Sequence, residues 1–380
     1  MKSILSRGAF LAVAILCLVL TADSFPATGA AGRVEEASGS VWVERGGGRR
    51  AIGRSAAIHY GDTLITGKDG RIRFTLTDAG SFTLESDTSV SIDELFEEAE
   101  DEPMVLRMAA GYLWARVSRL SSSPRRLEIH TPTVIAGVRG TEFELAAAAD
   151  GSAAMAVDEG SVEMAVDGET LLVDKGSMAE VDADTGKGSL APAPERRRRD
   201  WMAWRAERAV RLPDRLPMVI ERAAAKVSRM ERELSVLGGS VFGKADDLAG
   251  ALEDTRAALG KKGSKAALRQ ARLAAGKAGL ALRREVRAYR RALNRLRVDV
   301  NFARTLEHSL ETAGDRVPPE TAALLRGRLA ETLQTGDRLI LEARQLRERV
   351  IGLFRSLYRT TGGQATDKRP AGKKAGAAPR

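Results

Sequence analysis

The amino-acid sequence predicts a multidomain protein in which an all-β domain of short strands is followed by an all-α region. Apolar residues alternate with polar residues in the first half, and recur at three- or four-residue intervals in the second half. The charge divides at the same place. Residues 33–190 include 16 basic and 28 acidic side chains, and residues 191–380 include 42 basic and 22 acidic side chains. Two regions that differ in periodicity and in the sign of their charge are expected to fold separately.

The β domain is predicted over residues 33–185. In Arg71–Thr77, the apolar side chains of Ile72, Phe74 and Leu76 alternate with polar ones, as in a strand with one buried face. Similar segments recur at roughly eight- to twelve-residue spacing, separated by Asp and Gly turns. The pattern is typical of a roll, a solenoid-like domain or a sandwich. It disfavours a parallel α/β enzyme core, which needs long crossover helices.

The segment Thr131–Phe143 (TPTVIAGVRGTEF) combines a strand boundary with a bend. Pro132 lacks an amide donor, so it is expected to flank a strand and not to lie in its centre. Gly137 and Gly140 bracket Arg139 and permit a sharp bend with positive φ. A new strand is predicted directly after this bend.

An ordered series of short motifs resembles the FecR domain of envelope regulators. The motifs are GDTLITG at 61–67, a strand that begins with Gly111, TPTVIAGVRGTEF at 131–143 and EGSV at 159–162. Within the third motif, RGTEF is the most specific element. The resemblance covers roughly residues 33–181 and implies a periplasmic domain that senses a signal or binds a protein.

The resemblance also implies limits. The founding type of this family relays a signal from an outer-membrane receptor to a sigma factor. It carries a cytoplasmic helical segment before a membrane span, and a receptor-docking region after the β domain. In this sequence about eight residues precede the first apolar run, and a helical region follows the β domain. Direct anti-sigma activity is therefore not expected.

The bend supplies the candidate binding residues, which are Arg139, Gly140, Thr141 and Glu142. A guanidinium at a turn can hold carboxylates or carbonyls through several donors at once. The favoured interpretation is structural, with Arg139 tying the turn to a neighbouring loop. The alternative is that this residue contacts an external ligand.

No catalytic residue, metal site or cofactor is predicted. The three histidines are scattered without metal-ligand spacing, and the single cysteine, Cys17, lies in the N-terminal apolar run. Gly238–Ala245 resembles a phosphate-binding loop, but it has alanine where a hydroxyl is needed. Asp182–Gly186 resembles the start of a calcium loop, but its glycine comes one place early, so a turn is expected. The acidic run Asp93–Glu102 is expected to be a solvated loop.

The first part of the basic half is predicted to be irregular. Residues 186–199 are expected to form a stiff linker and a basic run, and residues 200–260 a set of short helices. Pro213, Pro217 and the pair Gly238-Gly239 interrupt the helical pattern there. Trp201 and Trp204 lie at i and i+3, which favours docking of the first helix against a neighbouring domain.

The second part is predicted to be a long antiparallel helical hairpin, as in a coiled coil, over residues 264–360. Its seam of small and apolar residues leaves space for a third helix or for a second chain. The sequence therefore allows a homo-oligomer formed through the helical region. Residues 361–380 are rich in Gly, Ala, Lys and Pro and are expected to be a disordered basic tail.

The first 31 residues predict a signal peptide with a cleavage site of uncertain position. Lys2 and Arg7 precede an apolar run of about a dozen residues, and small residues follow it. An uncleaved N-terminal anchor is the alternative. Export to the periplasm or cell envelope is expected, and nucleic acid is not an expected partner despite the basic second half.

These observations favour a non-catalytic, exported scaffold or interaction protein of the cell envelope. Its β domain is expected to bind an envelope protein or a glycan. Its basic helices are expected to contact an anionic surface or the protein's own acidic domain. The alternatives are an envelope signalling regulator of the FecR type and, more distantly, an envelope enzyme that acts on glycan.

Overall fold

The computed structural model describes residues 30–77, 79–93, 103–118, 126–260 and 264–361. These residues form a β domain followed by three long helices, which confirms the predicted fold class. The predicted signal peptide, apart from its last two residues, and nearly all of the predicted C-terminal tail lie outside the described residues. Among the described helices, none combines the length and the apolar character needed to cross a lipid bilayer.

The described residues of the β domain form 18 strands in two nine-stranded sheets. The strands are β1 Ala30–Ser38, β2 Val41–Arg45, β3 Gly48–Ala51, β4 Ala57–His59, β5 Thr63–Thr66, β6 Arg71–Leu76, β7 Gly80–Leu84, β8 Thr88–Ile92, β9 Met104–Met108, β10 Gly111–Val117, β11 Leu127–His130, β12 Ile135–Val138, β13 Glu142–Ala147, β14 Ala153–Glu159, β15 Ser161–Val166, β16 Glu169–Asp174, β17 Ser177–Val181 and β18 Gly188–Pro192. The first sheet has the order β18-β17-β14-β13-β10-β7-β6-β1-β4, and the second has the order β16-β15-β12-β11-β9-β8-β5-β2-β3.

The chain passes back and forth between the two sheets, usually one hairpin at a time. The hairpins β6–β7 and β13–β14 lie in the first sheet, whereas β8–β9 and β15–β16 lie in the second. Away from the N-terminal end, the strands follow their chain order across each sheet, and β9–β11 is a parallel pair. The domain is therefore a two-sheet sandwich that grows in a solenoid-like manner. The solenoid-like domain and the sandwich, which the sequence analysis gave as separate architectures, therefore both describe this fold.

The alternating residues form the core between the sheets. In β6 the side chains of Ile72, Phe74 and Leu76 are buried, and Arg71 and Arg73 are exposed. Phe74 stacks on a phenylalanine of β7 at a ring-centroid distance of 5.4 Å. A shift of the register by one residue would expose the whole apolar set. The alternation therefore determines which face of each strand is buried.

Glycines occupy positions where the backbone leaves little space or turns sharply. A Cβ at Gly80, which has a φ of 138°, would lie 2.1 Å from the carbonyl oxygen of Arg116. Gly140 has a φ of 62°, as the predicted bend requires. The expectation for Gly137 was wrong, because this residue lies within β12 and pairs with Glu163 of β15. The bend is therefore made by one glycine.

The three helices are α1 Trp201–Gly260, α2 Lys265–Ala313 and α3 Pro319–Thr361. Contacts between their side chains give the directions. Glu233 and Ser240 of α1 bond to Arg295 and Glu285 of α2, so these two helices are antiparallel. The ion pairs that join α1 to α3 advance along both helices in the same sense, and they include Glu221–Arg328, Glu231–Arg338 and Asp246–Arg349. The helices therefore form a bundle in which α1 occupies the third position beside the predicted hairpin of α2 and α3.

Residues 201–260 form one continuous helix, and the expectation of several short helices was wrong. A proline within a helix costs about 3 kcal/mol, because it removes a hydrogen bond and crowds the preceding turn. Burial of a Leu, Ile or Val side chain returns about 1.5–3 kcal/mol. Around Pro213 and Pro217, the buried residues Leu212, Leu216 and Ile220 pack in a cluster with residues of α2 and α3. Burial therefore outweighs the cost of the two prolines.

Three glycines within the helices face a side chain of another helix, whereas Gly239 faces open space, and none of them ends its helix. A Cβ at Gly336 of α3 would lie 2.2 Å from Val300 of α2, and one at Gly279 of α2 would lie 2.6 Å from Leu357 of α3. Gly238 of α1 faces the ring of Tyr289. The small size of these glycines allows the helix axes to approach. Gly238, which the sequence analysis treated as part of an interruption, instead packs against α2.

The expected linker at residues 186–199 is partly a strand. Gly188–Pro192 forms β18, which pairs with β17 at the edge of the first sheet. A short 3-10 turn at Arg196–Arg198 then leads into α1. Without β18, β17 would be the edge strand and would expose unpaired backbone groups. Pairing with β18 satisfies these groups. The connection between the domains is consequently held against the sheet.

Candidate functional site

The predicted binding residues lie at the turn between β12 and β13. Arg139 is exposed, whereas Thr141 is buried and donates a hydrogen bond from Oγ1 to the carbonyl oxygen of Ser161 at 3.0 Å. Gly140 provides the positive φ of the turn. The side chain of Glu142 is buried on the outer face of the first sheet. The structure therefore separates the exposed Arg139 from the buried members of the motif.

Glu142 connects the β domain to the segment before α1. Its carboxylate accepts hydrogen bonds from Arg116 of β10 at 2.6 Å and from Arg196 at 2.9 Å. Arg196 belongs to the basic run that the sequence placed in a linker, and its guanidinium lies 5.3 Å from the ring centroid of Trp114. The motif carboxylate thus contacts the chain's own arginines.

A second carboxylate on the same strand face binds the end of the basic run. Arg199 donates hydrogen bonds to Glu144 at 2.7 Å and to Asp158 at 2.8 Å, and its side chain is 6% exposed. Burial tends to lower the pKa of Arg199, but the two carboxylates outweigh it and raise the pKa. Tyr112 donates its hydroxyl to Glu144 at 2.8 Å, and burial beside this carboxylate raises the pKa of Tyr112.

Two tryptophans at the start of α1 pack beside these ion pairs. Trp201 lies on a patch of small outward-facing residues of β13 and β14, which includes Ala146, Ala154 and Ala156. Its ring meets that of Trp204 edge to face at a centroid distance of 6.4 Å. The alanines leave room for the indole rings, so the predicted docking surface lies between the helix and the sheet.

Asp93 forms a buried cluster where the second sheet meets α2. It follows the last residue of β8 and accepts hydrogen bonds from Arg107 of β9 at 2.9 Å and from Arg290 of α2 at 2.8 and 2.9 Å. Asn294 donates to Asp93 at 3.0 Å and accepts from Arg107 at 2.9 Å, and Arg297 donates to Asp93 at 3.2 Å. The exposed fractions of the Asp93, Arg107 and Arg290 side chains are 2%, 7% and 4%.

The electrostatics of this cluster follow from burial and from the arginines. Burial alone would raise the pKa of Asp93, but the charges of Arg107, Arg290 and Arg297 hold it well below its ordinary value. The expectation that the acidic run is a solvated loop is therefore wrong for Asp93, and residues 94–102 lie outside the described residues. A carboxylate with these partners can be buried because the bonds to arginine replace its hydration.

A cleft lies between the second sheet and the helices, which we call the interdomain cleft. Its volume is about 620 Å³. The first half of the Thr131–Phe143 motif forms one wall, a turn at Ala183–Gly186 forms another, and α1 and α2 close the remaining side. The titratable residues that line it are His130, Asp167, Asp184, Lys226, Arg229, Glu233, Arg295 and Asp299.

His130 and Asp299 are buried titratable residues of this lining. The Nε2 of His130 is 2.9 Å from a carboxylate oxygen of Glu128, and its Nδ1 is buried with no hydrogen-bond partner among the described residues. Asp299 is 7% exposed. Burial raises the pKa of Asp299 to about 7, although the charges of Lys226, Arg295 and Arg229 oppose this shift.

The turn that resembles a calcium loop is held by protein groups. The side chain of Asp182 accepts hydrogen bonds from the backbone amides of Asp184 and Thr185, each at 3.0 Å. Arg222 of α1 donates to Asp184 at 2.8 Å. Within the residues that the structure describes, there is no group of three or more His, Cys, Asp or Glu side chains placed to hold a metal ion. The turn at Asp182–Gly186 therefore contacts α1 through Arg222.

The sequence interpretation missed the Asp93 cluster and the interdomain cleft. A signal was present, because Arg290, Asn294 and Arg297 recur at three- and four-residue intervals beside the apolar seam of α2. Asp299 also stands between two valines of that seam. A polar stripe is equally typical of a solvated helix face, so only the position of the helix against the sheet distinguishes the two cases.

Comparison with known proteins gives one family match. Residues 62–163 match the family model described as FecR protein, which confirms the resemblance and places a FecR domain within the two sheets. Two crystal structures of a "putative anti-sigma factor" from Parabacteroides distasonis are similar at 18% identity and a TM-score of 0.30. The similarity covers 34% of this chain and 59% of that chain, so the match spans less than two thirds of the anti-sigma factor. No curated protein matches the chain.

Proposed function

We propose that this protein is a non-catalytic signalling regulator of the cell envelope, in which the FecR domain and the helical bundle act as one unit. The match at residues 62–163 supports a regulatory role. The observation that carries the proposal is that Asp93 and Arg107 of the matched region bond to α2, and that Glu144 of the same region bonds to Arg199 directly before α1. A partner bound to the FecR domain would therefore act on the helices directly.

The proposed location is the periplasm or the envelope surface. β1 begins at Ala30, and Ala31 is fully buried and accepts a hydrogen bond from the amide of Thr77 at 2.8 Å. Removal of a signal peptide up to residue 29 would therefore leave every described strand of the first sheet intact. Cleavage beyond Ala31 would remove a residue of the core, so we place the mature N-terminus at or before Ala30.

A scaffold is the second candidate, and one feature of the bundle favours it. Leu273 and Leu280 lie seven residues apart on α2 and are 60% and 66% exposed. Apolar residues at this spacing share one helix face, which is typical of a contact with another chain. A scaffold would use this face to join copies of the protein, with envelope proteins or glycans bound to the β domain.

The proposal is tested by deletion of the gene and measurement of transcription across the genome. A regulator predicts altered transcription of a specific sigma-dependent gene set, which the wild-type protein restores. The variant Asp93→Ala should fail to restore it when expressed at equal abundance, because the β domain and α2 are no longer fixed to each other. The variant Asp337→Ala alters an exposed ion pair of the bundle and serves as the matched control.

Two results would contradict the regulator. One is deletion without any change in a sigma-dependent gene set, accompanied by defects in envelope integrity, and this result would favour the scaffold. The other is full restoration by Asp93→Ala, which would show that contact between the two domains is not used in signalling. In-cell crosslinking of the tagged protein separates the candidates further, because a regulator should recover a receptor or a sigma regulator.

A further inference from the structure

We propose that the interdomain cleft binds a short peptide with a free ammonium group and a free carboxylate, with the ammonium group at Asp299 and His130. The inference concerns a site other than the Arg139 turn, and it does not rest on the proposed regulatory function. It stands on the shape of the cleft, on the buried acceptors at its inner end and on the cations at its mouth.

The position and size of the cleft are those of a ligand site. It lies where the second sheet meets α1 and α2, and its volume of about 620 Å³ is within the range that holds small ligands. Apolar side chains from each element, including Val134, Met230 and Val298, line it between the charged groups. Small aliphatic side chains of a peptide would contact these residues.

The inner end of the cleft offers two hydrogen-bond acceptors. Nε2 of His130 lies 2.9 Å from a carboxylate oxygen of Glu128, and in the tautomer that donates from Nε2 to this carboxylate the buried Nδ1 is left as an acceptor. The carboxylate of Asp299 is the second acceptor, and burial disfavours its charge. An ammonium group has three donors and a positive charge, so it would satisfy the histidine nitrogen and stabilise the ionised form of Asp299.

The mouth of the cleft carries the opposite charge. Arg229 is exposed on α1, and Lys226 lies one turn earlier and donates to the carbonyl oxygen of Pro132 at 2.6 Å. Both cations act on Asp299 electrostatically. A ligand carboxylate at this position would receive hydrogen bonds from a guanidinium, which binds carboxylates well. The cleft therefore suits a ligand with its positive end inside and its negative end outside.

Ligands of a single charge fit the cleft less well. A purely anionic ligand would meet the carboxylates of Asp299 and Asp167, and a purely cationic ligand would meet Lys226 and Arg229. A zwitterionic ligand places one group against each sign. Other charged groups facing Asp299 would modulate the binding, and these are Arg295 and Glu233, which pair with each other, and Asp184, which is held by Arg222.

The proposal is tested by calorimetric titration of the purified exported protein with trialanine. Binding is expected at about pH 7.5, where most of the ligand amine is protonated, and it should weaken as the pH falls to about 5 and Asp299 is protonated. N-acetyl-trialanine and trialanine amide each lack one charged end. Each is expected to bind about 10- to 100-fold more weakly than trialanine.

Three variants locate the site. Asp299→Asn keeps the size of the side chain and should weaken binding of trialanine about 10- to 100-fold while removing the part of the pH dependence that comes from Asp299. Arg229→Gln should weaken trialanine binding but leave binding of trialanine amide unchanged. Arg232→Gln changes an exposed arginine of the same helix outside the cleft, and it should leave both affinities unchanged.

Several outcomes would overturn the proposal. Absence of trialanine binding at concentrations up to about 10 mM is one of them. Equal binding of the acetylated peptide would show that the ammonium group is not recognised. Unchanged affinity in Asp299→Asn, with circular dichroism showing a folded protein, would place any binding elsewhere. Each result is independent of the transcription experiment, so the two proposals can fail separately.

Discussion

The contacts between arginine and carboxylate groups differ greatly between the domain interface and the outer surface of the helical bundle. At the interface, Asp93 and Arg290 are 2% and 4% exposed, and Arg199 and Glu144 are each 6% exposed. On the bundle, Arg304 and Asp337 are 50% and 55% exposed, although their atoms approach to 2.6 Å. The distances are similar, and the environments are not.

The difference shows how one kind of contact can have two roles. Water and salt screen an exposed ion pair, which contributes about 0–1 kcal/mol. A buried charge that loses its partner is destabilised by about 3–5 kcal/mol, since no solvent replaces the lost bonds. Part of the positive charge of the second half therefore binds the acidic β domain of the same chain. The expected contact of the remaining basic surface with an anionic surface stays a prediction.

The largest effect is expected for Asp93→Ala. The variant leaves Arg107 and Arg290 buried without this carboxylate, so the free energy of unfolding should fall by about 3–5 kcal/mol. Urea denaturation of the wild type and the variant measures the change. In the wild type, the low pKa of Asp93 adds stability above the ordinary Asp pKa, and this stability should be lost as the pH falls below about 4. The variant should lack this component.

A loss below about 1 kcal/mol in Asp93→Ala would show that the interface resembles the exposed bundle surface, and the contrast would not hold. Asp337→Ala is the matched control, because it removes one carboxylate from an arginine pair at the surface.

A smaller effect of opposite sign is expected for Asp299→Asn. Burial raises the pKa of Asp299 to about 7, so the folded wild-type protein binds a proton that the unfolded chain releases near pH 4. Its stability is therefore fully present below about pH 4 and decreases as the pH rises towards 7. The asparagine variant should be more stable than the wild type at about pH 8, by about 2–4 kcal/mol.

Urea denaturation of both proteins at several pH values measures this difference. A constant difference between pH 4 and 8 would show that Asp299 has an ordinary pKa in the folded state. Such a result would show that burial in the cleft does not destabilise the ionised carboxylate of Asp299.

The smallest effect is expected for the exposed pair Arg304–Asp337. A double-mutant cycle with Arg304→Ala and Asp337→Ala should give a coupling energy of about 0.5 kcal/mol or less, and about 1 M NaCl should abolish it. Thermal denaturation of the four proteins provides the values. Coupling of several kcal/mol would mean that exposure does not weaken the pair, and it would remove the distinction between the two regions.

Local patterns predicted much of the fold. The alternation in β6 predicted its buried face, since a strand places successive side chains on opposite sides. The spacing of apolar residues predicted the antiparallel pair α2 and α3. The same kind of reasoning failed at Pro213 and Gly238, because the cost of a proline or glycine is local whereas the compensating contacts come from other helices.

The candidate sites were less predictable. The turn at Arg139 was visible because its residues are adjacent in the chain. The Asp93 cluster was not, since Asp93 and Arg290 are 197 residues apart and the local pattern around each is equally typical of a solvated surface. His130 and Asp299 meet the same cleft from a strand and a helix, and their spacing in the sequence contains no indication of this.

The sequence by itself determined the division into an acidic β domain and a basic helical region, together with the resemblance of the first region to the FecR family, whose model matches residues 62–163. These properties depend on periodicity, composition and short motifs, which involve neighbouring residues. The tertiary structure alone decided that the two regions are joined through buried charges and that a polar cleft lies between them. Burial is a property of packed surfaces, and it changes the energy of a charge far more than any local pattern does.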